Sequence, residues 1–178
     1  LSYKEKKTKN KFARQGYYIF DIINKKILEE IKNDIIKESS KLLKKKLQKK
    51  NFFNFSQNYI KNSDLNNFRL KIYNKLNKDK NFLKNYYLLG REYIDLFCGN
   101  ELAVQKRVNL SIQLPKDNSS ILPIHTDVWS GNSPFELVLW IPLVSVKKTK
   151  SMFILSPEHN KYYFKNINKF KKSEKIHS

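Results

Sequence analysis

A chain of 178 residues and 21.3 kDa, 40% hydrophobic and 13% aromatic, carries enough apolar side chain for one core, which excludes a disordered polymer. The single cysteine, Cys98, excludes a disulfide framework and a Cys-rich zinc module, and suits a reducing compartment. The formal charge of +20 suggests a partner rich in phosphate, but the basic residues are 32 Lys against 4 Arg, and Arg is the residue suited to bidentate phosphate and base recognition.

Abundant Asn and Ile beside that Lys point to compositional drift, so nucleic acid is not the expected partner. The densest basic run, Lys41 to Lys50, reads as a solvated helix end. No apolar stretch approaches the roughly 18 residues of a membrane span, and no signal peptide opens the chain. The expectation is a cytoplasmic protein without a membrane partner. The chain starts at Leu1 and stops at Ser178 in mid-pattern, which reads as a fragment.

In chain order, residues 1–12 are Lys-rich without apolar periodicity and read as irregular. Gly16 to Phe20 is an aromatic and β-branched run after a glycine, the signature of a strand. Asp21 or Asn24 then caps a helix with Ile27, Leu28, Ile31, Ile35, Leu42 and Leu43 near one face, acidic early and basic late, as the helix dipole favours. Residues 51–62 form a connector with aromatic anchors. Ser63 or Asp64 opens a second helix carrying Leu65, Phe68, Ile72, Tyr73 and Leu76. A third runs from about Asn81 to Phe97, with Leu83, Tyr87, Ile94 and Leu96 towards the core and Gly99 as its stop.

The texture changes after Leu102. Val108 to Leu114 alternates apolar and polar, as a half-buried strand does. Pro115 to Ser120 is a turn, Ile121 to Thr126 a short extended piece, and Trp129 to Pro134 a loop. Phe135 to Leu143 reads as an apolar strand and Ser151 to Leu155 as another. The expected fold class is α+β, with helices in residues 1–100 packed on an all-β part in residues 101–178, together one domain.

His125-Thr126-Asp127 is the constellation with chemical content. In extended chain, residues i and i+2 project to one side, so an imidazole and a carboxylate can converge on a shared point. One nitrogen and one anionic oxygen are two thirds of the facial triad that holds Fe(II) with positions open for a co-substrate and oxygen.

The residues around it, Leu122 to Trp129, then Phe135 to Leu143, then Lys150 to His159, resemble the phytanoyl-CoA-dioxygenase-like branch of the Fe(II)/2-oxoglutarate oxygenases. That family shows an HxD, an apolar strand ending in W-x-x-L, a turn, and a strand closing in a P-G-S-H-like element. The flavour is closest to members of carbohydrate gene clusters. The resemblance implies a partial double-stranded β-helix, or jelly roll, braced by helices. It implies Fe(II) held by His125, Asp127 and a later His, with 2-oxoglutarate as co-substrate. The activity implied is hydroxylation of a small molecule, such as a sugar derivative, coupled to oxidative decarboxylation of 2-oxoglutarate to succinate and carbon dioxide.

Ser156-Pro157-Glu158-His159 stands where P-G-S-H is usual, so His159 matches a family position that is not an iron ligand and reads as a loop-end residue satisfying local backbone. His177 lies 50 residues after Asp127 with only one residue following. The third ligand and the basic residue that grips the far carboxylate of 2-oxoglutarate are therefore expected beyond residue 178. Asn109, Ser111 and Gln113 share one strand face; if that face is the barrel interior they bond 2-oxoglutarate or substrate, and otherwise they meet solvent. Trp129 would wall the substrate mouth or pack in the core, and Trp140 is assigned to packing. The alternatives are a cupin-like sugar-binding or isomerase jelly roll without oxidation, and a basic nucleic-acid-binding module.

Overall fold

A computed structural model of the chain describes residues 1–118 and 125–166. Its chain forms two compact units: Leu1–Asp21 with the segment from Val146 onward, and Ile22–Ser145.

The larger unit is built on helices whose apolar faces were legible. α2 (Lys25–Leu43) starts at Asn24, whose side chain accepts the Ile27 N–H. That contact satisfies one of the donors a helix start leaves bare. Ile31 and Ile35, one turn apart, are both 3% exposed, on a helix that packs chiefly against α4 (Leu65–Leu76) and α5 (Lys80–Cys98). Phe68, Ile72 and Leu76 from α4, and Phe82 and Leu89 from α5, complete the core. Burial on α5 centres on Phe82, Leu89 and Gly90, while the expected Leu83, Tyr87, Ile94 and Leu96 are half-buried. α2 ends in Lys44, which takes the left-handed conformation at φ 51°. The short α3 (Lys49–Asn54) follows, with Phe52 buried and edge-on to Phe53 at 5.9 Å. Of the connector's aromatic residues, Phe52 is buried and Phe53 and Tyr59 half-buried, as anchors would be, while Phe55 is exposed.

The all-β second half is overturned. Among the described residues there is no strand, so the expected α+β class with a partial double-stranded β-helix does not stand. The alternation survives as local geometry. Val108, Leu110 and Ile112 are half-buried and Leu114 buried against the helical core, while Asn109, Ser111 and Gln113 are exposed. Leu137, Leu139, Ile141 and Leu143 likewise point inward and Val138 and Trp140 outward. Trp140, assigned to packing, is 43% exposed.

The physical reason is that a period of two fixes which face is buried, but leaves open what covers it. Here helices cover it, and helix side chains take backbone groups that a neighbouring strand would otherwise take. At the end of α4, Asn77 donates from Nδ2 to the Val108 carbonyl at 3.0 Å and accepts the Val108 N–H at Oδ1 at 2.6 Å. On α5, the Tyr86 hydroxyl donates to the Leu139 carbonyl. Burial raises the Tyr86 pKa above the ordinary phenol value. Gly90 lets Leu139 approach closely: a Cβ there would lie 2.7 Å from Leu139 Cδ2.

In the smaller unit, the expected irregular start is α1 (Tyr3–Gln15). Ser2 and Glu5 form a capping box, with Ser2 N donating to Glu5 Oε2 at 2.5 Å and Glu5 N donating to Ser2 Oγ at 3.3 Å. Gly16, at φ 76°, closes that helix by donating its N–H to the Phe12 carbonyl. The glycine read as the start of a strand is a helix stop, and residues 17–20 form no regular element. Residues 151–155, read as a strand, are not one, and 152–155 are exposed. They lead into α6 (Pro157–Lys165), capped by Ser156 with Pro157 in its first turn. The extended reading of 121–126 falls largely outside the described residues. Among the described residues no helix is long and apolar enough to cross a membrane.

Candidate metal centre

Thr126 has φ −124° and ψ 141°, an extended conformation, so its two neighbours project to the same side. His125 Nε2 and Asp127 Oδ1 stand 3.6 Å apart. That is too long for a hydrogen bond, so the pair is not closed on itself. Asp127 then begins a single 3-10 turn, Asp127–Ser130. Gly131, at φ 87°, ends it, and Asn132 N–H donates to the Asp127 carbonyl at 3.2 Å. This turn fixes the backbone from which the carboxylate projects. The i, i+2 argument predicts this convergence correctly, although the chain carrying it belongs to no sheet.

The donor set suits a divalent first-row ion, pairing an imidazole with a hard carboxylate oxygen. Two ligands each about 2.1 Å from one ion and at right angles would be about 3.0 Å apart. The observed 3.6 Å therefore has to close by about 0.6 Å. The His125 and Asp127 side chains are 42% and 50% exposed.

A third ligand is not gathered at this pair: among the described residues no group of three or more His, Cys, Asp or Glu could hold a metal. His159 sits in the other unit, in the first turn of α6, with Nδ1 2.7 Å from Ser156 Oγ. The expected loop-end residue bonded to local backbone is instead a helical one whose ring meets the Ser156 hydroxyl. His177 lies outside the described residues. Asn109, Ser111 and Gln113 lie on the exposed face of their segment. Trp129 belongs to the 3-10 turn beside the pair; its side chain is outside the described part of the structure.

Sequence reasoning missed Asn77 and Tyr86, which pin the two extended segments flanking this turn. Nothing in their local sequence marks them, because their partners are 31 and 53 residues away. No family model, no curated protein and no solved structure matches this chain.

Proposed function

We propose that the protein is a non-haem Fe(II), 2-oxoglutarate-dependent oxygenase that hydroxylates a small molecule, with His125 and Asp127 as two of its iron ligands. The observation carrying this reading is the convergence of that imidazole and carboxylate to 3.6 Å across an extended residue. The resemblance of residues 122–160 to the phytanoyl-CoA-dioxygenase-like oxygenases supplies the choice of Fe(II) and 2-oxoglutarate. When bound, the iron supplies oxygen activation coupled to conversion of 2-oxoglutarate to succinate and carbon dioxide.

The reading rests on the ligand pair and not on a scaffold, since chemistry belongs to a site more than to the fold that carries it. It requires a third ligand, which the described residues do not bring to the pair. A sugar derivative as substrate and a cytoplasmic location belong to the same proposal. The test is Fe(II)-dependent succinate formation from 2-oxoglutarate by the full-length protein. His125→Ala and Asp127→Ala are each expected to abolish it, and normal turnover in either variant removes that residue from the ligand set.

A further inference from the structure

A cleft of about 280 Å³ opens between α2, α3 and residues 143–145, lined by Glu29, Lys32, Lys49, Lys50, Phe53, Asn54, Leu143, Val144 and Ser145. Its volume is close to the lower end of small-molecule sites, about 300 Å³. Its charges are ordered. Lys49 donates from Nζ to Glu29 Oε2 at 2.5 Å and to Asn33 Oδ1 at 2.9 Å, while Lys32 Nζ reaches Glu29 Oε1 at 3.1 Å. Each oxygen of one carboxylate thus holds one lysine, and the Lys49 and Lys32 hydrogen bonds keep Glu29 below the usual carboxylate range and ionised. Lys50 is exposed and makes no ion pair among the described residues.

Three lysines against one glutamate leave two positive charges uncompensated in the cleft. A phosphomonoester carries about −1.5 to −2 at neutral pH and offers three acceptor oxygens, which matches that surplus. A carboxylate would neutralise only half of it, and a metal cation is repelled. The lining also includes Phe53, Leu143 and Val144, which offer apolar surface to whatever the phosphate is attached to.

We propose that this cleft binds a phosphomonoester with an apolar or planar body, the phosphate set among Lys32, Lys49 and Lys50 and the body against Phe53, Leu143 and Val144. The site is separate from the His125–Asp127 pair and requires no iron, so its success or failure says nothing about oxygenase chemistry.

Phenyl phosphate and inorganic phosphate serve as probes, titrated calorimetrically into the full chain in metal-free buffer. Phenyl phosphate is expected to bind saturably at one site, several-fold tighter than inorganic phosphate. Lys50→Glu should weaken it by about tenfold, since a hydrogen bond to a charged group is replaced by repulsion. Lys71→Glu, an exposed α4 position outside the cleft, removes the same two units of net charge and should change affinity less than twofold. Absence of saturable binding overturns the proposal. So does equal weakening by both variants, which would mean attraction to net charge alone. Equal affinity for the two probes would overturn the apolar half of the site.

Discussion

Replacing Asn77 by Ala tests how the segment 108–114 is held without a neighbouring strand. Asn77 makes both hydrogen bonds to Val108, at 3.0 and 2.6 Å, and its Nδ2 also donates to the Tyr73 carbonyl at 2.8 Å. Each such bond contributes about 1 kcal/mol net, and more when the abandoned partner stays dry. Val108 is half-buried, so water reaches its freed amide and carbonyl only in part. Alanine also gains a few tenths of a kcal/mol of helix propensity at the end of α4. The net expected loss is about 1.5 kcal/mol.

Urea unfolding followed by circular dichroism should show the midpoint falling with its slope unchanged. Exchange of the Val108 amide should speed up by about tenfold, the equivalent of that energy. Asn77→Asp provides a second reading: it still accepts the Val108 N–H but sets a carboxylate oxygen against the Val108 carbonyl, so at neutral pH it should cost at least as much. An Asn77→Ala protein within 0.3 kcal/mol of the parent (about the limit of such measurements), with Val108 exchange unchanged, would refute the reasoning. It would mean that apolar contact alone holds the segment.

Two further outcomes follow from the same packing. Gly90→Val should destabilise by about 1–3 kcal/mol through collision with Leu139, and Leu139→Ala in the same chain should recover most of it; effects additive within about 0.5 kcal/mol would show that the two do not meet. Asp34 has its pKa raised, by burial first and then by the nearby Asp79 carboxylate, so its ionised form opposes folding at neutral pH. Asp34→Asn should therefore stabilise the protein at pH 7, with the gain shrinking as pH falls through the raised pKa and the parent's carboxyl protonates; a gain independent of pH would contradict that origin.

The helices α2, α4 and α5 were legible because each carries apolar residues at helical spacing; Asn24 caps α2 as read, whereas Asp64 makes no side-chain cap on α4. Residues such as Ile31, Ile35, Phe68 and Ile72 are buried as that spacing requires. The second half was only half legible. Alternation in Val108 to Leu114 correctly separated inner from outer side chains, but what covers the inner face depends on residues far along the chain. The two terminal helices carried readable signals that their weak apolar stripes concealed. Ser2 with Glu5 is a capping box, and Ser156-Pro157-Glu158 is a helix start. At the candidate centre, the convergence of His125 and Asp127 was legible because it depends on one extended residue. No third His, Cys, Asp or Glu joins them in a metal-holding group among the described residues.

Titration of Mn(II), an electron-paramagnetic stand-in for Fe(II), tests the central claim most directly, because the signal of the free ion is lost on binding. The pair supplies two of the three ligands and the described residues bring no third to it, so one weak site is expected in the parent protein, and His125→Ala and Asp127→Ala should each lose it. Binding that persists unchanged in both variants would show that the ion sits elsewhere and that these two side chains hold no metal.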